Sequence, residues 1–257
     1  MKNRINELFK SKRGNLLSVY YTAGFPTLND TLPIAVKLER AGADIIEIGI
    51  PFSDPIADGP TIQESNKKAL DNGMNLHLLL EQVQEIRKSV SIPIILMGYL
   101  NPVLQFGFEN FVREAARVGV DGLILPDLPV DEYIEMYKTI VDANGLTNTF
   151  LISPTTSEER IRKIDEVSKG FIYAVSSSST TGAQQGFSQE QESYFERLKN
   201  LKLVNPFLVG FGVSNHETFA AVSKYSSGAI VGSAFINLLK SSTDLESDVA
   251  RFIKELR

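Results

Sequence analysis

Along the chain, short apolar runs alternate with longer segments in which apolar and charged residues recur at helical spacing. The runs cover residues 16–23, 44–51, 93–100, 122–129, 147–154, 170–177, 206–213 and 228–235. Most are apolar on both alternating faces, as in IIEIGI, PIILMGYL and GFIYAV, the pattern of parallel strands covered on both sides. The amphipathic segments between them include 30–39, 76–88, 109–118, 132–143, 158–167 and 190–199. Eight strands alternating with helices over 257 residues match an α/β fold of one kind, a (β/α)8 TIM barrel. A doubly wound open sheet is the competing architecture, but it usually has fewer strands and a Gly-rich turn after the first. Here that turn reads Thr22-Ala23-Gly24-Phe25-Pro26. Ile5, Leu8 and Phe9, at helical spacing, predict an extra N-terminal helix that plugs the barrel bottom.

No linker or shift in composition divides the chain, so residues 1–257 read as a single domain. The Ser/Thr/Gln-rich stretch 176–191 follows the sixth strand and reads as a loop, either at a catalytic rim or simply at the surface. Composition then narrows the function classes. The chain is 43% hydrophobic and 22% charged, which fits a folded protein rather than a disordered one. It has no cysteine, and so no disulfide, thiolate nucleophile or zinc–thiolate site. The balance of 26 Lys+Arg against 31 Asp+Glu gives a net charge of −5, which offers no basis for a nucleic-acid partner. The N-terminal stretch lacks an apolar h-region, and no run approaches the length of a membrane span. A cytoplasmic enzyme of a small molecule is the expectation.

In a TIM barrel the chemistry sits at the C-terminal ends of the strands and in the loops that follow. Two carboxylates fall inside apolar runs there: Glu47 in Ile45–Gly49 and Asp127 in LPDLP. Neither face of a doubly covered strand offers Glu47 bulk water, so its carboxyl is expected to be desolvated. That favours a general acid/base tuned toward neutrality, with a structurally bonded Glu as the plainer alternative. The following loop, 51–60, holds three prolines, which stiffen it. Asp54 and Asp58 in that loop are either placed carboxylates or turn formers. The last two strands end in Gly210-Phe211-Gly212-Val213-Ser214 and Gly232-Ser233-Ala234. Glycines there let backbone N–H groups approach an anion, in the usual phosphate position of this fold, or merely allow tight turns. Thr180-Thr181-Gly182, after the sixth strand, is a candidate for a third wall of the same cup.

Several chemistries lack their residues. His77 and His216 stand apart, so a metal site is not expected. The eight runs contain no lysine, which removes a Schiff-base nucleophile. Ser177–Ser179 has no evident His partner. Proton transfer by carboxylates on a small phosphorylated substrate remains.

The stretch from Glu47 to Gln63, EIGIPFSDPIADGPTIQ, closely resembles the signature of the tryptophan synthase α-subunit family. The resemblance continues collinearly through GLILPDLP, SPTT, GFIYAV, GFGV and VGSA, and so spans essentially the whole chain. It implies retro-aldol cleavage of indole-3-glycerol phosphate to indole and glyceraldehyde 3-phosphate. By the same resemblance, Glu47 matches the acid/base and Asp58 the carboxylate that holds the indole N–H. Tyr173 falls on the active-site tyrosine, and Gly182, Gly212, Gly232 and Ser233 fall on phosphate-binding positions. Tyr20, Met97, Tyr99, Ile124 and Pro126 correspond to the lining of the indole pocket. One departure stands after the sixth strand, where Ser179 and Thr180 replace the family's usual Gly-Val pair. The resemblance also implies an α2β2 complex with a β subunit that carries pyridoxal phosphate, the α chain itself having no cofactor. Phe52, Val103, Leu104, Phe106 and Phe108 are the apolar residues expected on the docking rim. Other phosphate-binding barrel enzymes, a non-catalytic activating subunit and a free-standing indole-releasing lyase are the remaining alternatives.

Overall fold

The apolar runs become a ring of parallel strands in a computed structural model that describes residues 3–12, 14–176 and 186–257. The strands are β1 Leu16–Thr22, β2 Ile45–Gly49, β3 Ile94–Met97, β4 Gly122–Ile124, β5 Thr147–Thr149, β6 Leu151–Ile152, β7 Ile172–Val175, β8 Phe207–Gly210 and β9 Gly228–Val231. Their order around the sheet is β5-β4-β3-β2-β1-β9-β8-β7-β6, and every described pairing is parallel.

Eight runs thus give nine strand segments, because the fifth run is broken at Phe150. Its first half pairs with β4 and its second half with β7. The Phe150 carbonyl also accepts the Tyr173 N–H at 3.0 Å. One bent stave therefore closes the barrel. The runs also overshoot the strands at their C-terminal ends. Leu125, Leu128 and Val213 lie beyond β4 and β8 yet are almost fully buried. A rim loop folded over a cavity needs apolar residues as much as a strand does, so hydrophobicity alone does not mark where pairing stops. Asp127 lies in such a tail: it is an exposed loop residue, not a strand carboxylate. Its carboxylate accepts the Leu100 N–H at 2.9 and 3.1 Å, a structural bond at the start of helix Leu100–Phe106.

Strand alternation sorts the core into two layers. Leu17, Val19, Tyr21, Ile46 and Ile48 face the surrounding helices, while Leu16, Ile45, Ile95, Phe171, Leu208 and Ile230 fill the barrel interior. The N-terminal helix Arg4–Ser11 does plug this interior, with Ile5 fully buried in the inner cluster and Leu8 and Phe9 packed against it. Gly122 and Gly170 leave room for it, since a Cβ on either would come within 2.9 Å of Ile5. Asp121, buried at the foot of β4, holds the plug through Arg4 at 3.0 Å and also pairs with Arg87. The bottom is thereby sealed, and the opposite rim is left for chemistry. No described helix is long and apolar enough to cross a membrane.

Candidate active site

Glu47 lies on the inward face of β2 and is fully buried. Its Oε1 accepts a hydrogen bond from the Ser18 hydroxyl at 2.7 Å, and its Oε2 has no partner among the described residues. Burial pushes the carboxyl up from 4.5 to about 7, with the Ser18 bond opposing that rise. A carboxyl poised near neutrality can give and take a proton with little penalty in either direction.

Asp58 arrives on the proline-stiffened loop after β2. The Gln63 amide donates to the Asp58 carbonyl at 2.8 Å, and Gly59 and Pro60 then open helix Pro60–Asp71. Pro60 stands at the first helical turn, where the absence of its N–H is harmless. The Tyr99 hydroxyl donates to Asp58 Oδ2 at 3.1 Å. Partial burial raises the Asp58 carboxyl, and the Tyr99 bond works against that rise. Asp54 in the same loop is exposed and accepts a hydrogen bond from the Ser53 hydroxyl, and unlike Asp58 it does not line the cleft.

Both carboxylates border one cleft, together with Tyr20, Met97, Tyr173, Gly212, Gly232 and Ser233. Tyr20 and Tyr173 are nearly buried, and burial, followed by the charges of Asp58 and Glu47, holds both phenols far above their ordinary range. They remain neutral donors. Room for their rings is made by glycines on the inner face: a Cβ at Gly49 would lie 2.1 Å from the Tyr20 hydroxyl, and one at Gly210 would lie 2.2 Å from that of Tyr173. A side recess continues from the cleft along Ile50, Asn66, Tyr99, Pro126 and Leu151. It is largely apolar and bordered by the Tyr20, Tyr99 and Phe211 rings.

At the other end, β8 runs into Phe211 and Gly212, both with positive φ (65° and 79°). The Ser176 hydroxyl donates to the Phe211 carbonyl at 2.6 Å and helps to hold this turn. Helix Ser233–Ser241 begins at Gly232 with no side-chain cap among the described residues. Helix His216–Ser223 nearby is capped by Asn215. The N-terminal N–H groups of the uncapped helix, with the Ser233 hydroxyl, thus border the cleft as donors for an anion.

Ten of the twelve site residues read from the sequence line the cleft or its recess. Ile124 does not: it is fully buried in the inner cluster that also contains Tyr173. Gly182, with Ser179, Thr180 and Thr181, lies outside the described residues. Of the rim residues, Val103 and Phe108 are core, because they point into the helix–sheet layer, while Leu104 is 45% exposed and Phe52 and Phe106 are half-buried. Ile56, 86% exposed, belongs to this rim and was not singled out. Ser18, Thr61, Phe211 and Asn237 were also missed as neighbours of the site. Ser18 leaves a signal, as a small polar residue between the apolar Leu17 and Val19 in β1. Among the described residues no His, Cys, Asp or Glu cluster forms a metal-binding group.

A family model described as tryptophan synthase alpha chain matches residues 6–257. The tryptophan synthase alpha chain of Flavobacterium johnsoniae is 55% identical over 99% of this chain and 100% of its own length. That of Parabacteroides distasonis is 54% identical, covering 99% of each. Among solved structures, Mycobacterium tuberculosis tryptophan synthase superposes with a TM-score of 0.90 at 33% identity, over 100% of this chain and 97% of that one. The alpha subunit from Legionella pneumophila gives 0.88 at 33% identity with the same coverage. With that family model over residues 6–257 and relatives more than half identical over nearly their whole length, the chain belongs to the tryptophan synthase alpha chain family.

Proposed function

We propose that Glu47 and Asp58 divide the proton transfer and the charge stabilisation of the alpha-chain reaction between them. That reaction is the cleavage of indole-3-glycerol phosphate to indole and glyceraldehyde 3-phosphate. The bond between indole C3 and the glycerol chain breaks only when its electron pair has somewhere to go. Protonation of C3 by Glu47 creates that sink, because the ring nitrogen then bears positive charge. Asp58, ionised, accepts the indole N–H and stabilises that charge as it grows. The Glu47 carboxylate next takes the proton from the adjacent glycerol hydroxyl, which becomes the aldehyde carbonyl. The electron pair of the broken bond returns to the ring and restores aromatic indole. Glu47 ends protonated, as it began.

The recess along Tyr99 and Pro126 suits the indole ring, and the cup at Gly212, Gly232 and Ser233 suits the phosphate. Asp58 lines both the recess and the cleft, and Glu47 lines the cleft beside the phosphate cup. The observation that carries the reading is the fully buried Glu47 carboxyl, one oxygen unpartnered, on the same cleft as Asp58. Nothing in this cycle calls for a cofactor on this chain, since each step is a proton transfer between groups already named.

A tryptophan synthase β subunit is the proposed partner, docking where Phe52, Ile56 and Leu104 leave apolar surface on the rim. Release of indole from indole-3-glycerol phosphate, by the purified chain with and without that subunit, tests both parts. Slow release that rises strongly with the partner supports the α-subunit reading. Fast release alone, unchanged by the partner, points to a free-standing lyase. No release in either condition refutes the substrate assignment.

A further inference from the structure

Ser18 and Glu47 sit on the inward faces of adjacent strands, displaced by two residues in register, since Ser18 is opposite Ile45. Ser18 is fully buried, with Ile45 and Ile230 as its cross-strand neighbours. A hydroxyl among isoleucines is costly unless it is bonded. Its bond is to Glu47 Oε1 at 2.7 Å. Ser18 is not among the residues that border the cleft, so it acts on the reaction only through Glu47.

We infer that Ser18 is a positioning residue that clamps Glu47 Oε1 throughout the cycle, so that the travelling proton is carried by Oε2. This rests on the reading of Glu47 as the acid/base. A carboxylate accepts at both oxygens, whereas a carboxylic acid protonated on Oε2 still accepts at Oε1. The Ser18 bond therefore survives in both protonation states, and the side chain need not turn between giving its proton to C3 and taking one from the hydroxyl. Oε2, which has no partner among the described residues, is the oxygen free to do both. The clamp also favours the ionised form, because a donated hydrogen bond is stronger to a full negative charge. It opposes the upward push of burial: burial keeps the carboxylate basic enough to accept a proton, and the Ser18 bond keeps the acid strong enough to donate one.

The test is the pH profile of kcat/KM for Ser18→Ala, Ser18→Cys and Ser18→Thr. Protonated Glu47 begins the cycle, so wild-type activity declines on the alkaline side. The Ala and Cys variants lose the good donor and should move that decline upward by about one pH unit. The Cys variant nearly preserves volume and decides the matter if Ala does not fold. Ser18→Thr keeps the hydroxyl and should hold the wild-type limb. An alkaline limb unmoved in Ala and Cys, or moved equally in Thr, overturns the clamp. A wild-type profile with no alkaline limb at all would instead overturn the role of Glu47 itself.

Discussion

The Tyr99 hydroxyl donates to Asp58 Oδ2 at 3.1 Å while accepting the Ala57 N–H at 3.0 Å. Two bonds from one oxygen thus fasten the loop after β2 to the chain leaving β3, where Tyr99 precedes helix Leu100–Phe106. The ring of Phe52 packs on Tyr99, with centroids 5.2 Å apart. Asp58 is therefore set in place by a neighbouring loop as well as by its own prolines, and the same contact keeps its carboxyl easier to ionise than burial alone would allow.

Tyr99→Phe removes both bonds and leaves the ring. The Asp58 carboxyl should then rise further, and because the role proposed for Asp58 needs its ionised form, the acid-side decline of kcat/KM should move to higher pH. Activity near neutrality should fall roughly tenfold, the worth of one hydrogen bond to a charged group. An unmoved acid limb would make Tyr99 only a wall of the recess.

Holding Glu47 at about 7 against its ordinary 4.5 makes folding pH-dependent. Below about 4.5 the group is protonated in both states and has no effect. As pH rises through the window up to 7, the unfolded chain ionises freely while the folded one resists, so stability is lost and then levels off. Glu47→Gln escapes this loss. It should match wild type near pH 4 and exceed it by about 3 kcal/mol above pH 8. Denaturant melts at both pH values check this, and parallel curves would refute it.

Gly210→Ala should force the Tyr173 ring out of its seat, since the added Cβ would meet the hydroxyl at 2.2 Å. Overpacking of this kind costs about 1–3 kcal/mol. The displaced ring would also crowd the cleft, so denaturation and KM should worsen together. A variant with wild-type stability and KM would show that the ring has other room.

Ser233→Ala removes one donor from the mouth of an uncapped helix. Substrate affinity should weaken by ~1–2 kcal/mol, with kcat nearly unchanged. Direct binding measurements decide this, and undiminished affinity would place the phosphate elsewhere.

Much of this architecture is legible in the sequence because period and burial speak together. The run IIEIGI announces a doubly covered strand, and a carboxylate within it can only be desolvated, as Glu47 is. Ile5, Leu8 and Phe9 announce a one-sided helix, and that side fills the barrel foot. Relations across the fold are less legible. The break at Phe150 follows from which neighbours each half-strand meets, and no local pattern marks it. Asp127 looks like Glu47 in an apolar run, yet its strand has already ended. Ser18 matters only because parallel register brings it beside Glu47. Val103 and Phe108 cannot be told from rim residues without knowing which helix faces turn inward.

In the proposed cycle one buried carboxyl, that of Glu47, moves the proton. Turnover of indole-3-glycerol phosphate by Glu47→Gln at pH 7, alongside its affinity for the same compound, tests this most directly. A loss of about 10²–10⁴ in kcat at near-normal affinity is the expected result. Turnover close to wild type would contradict the account.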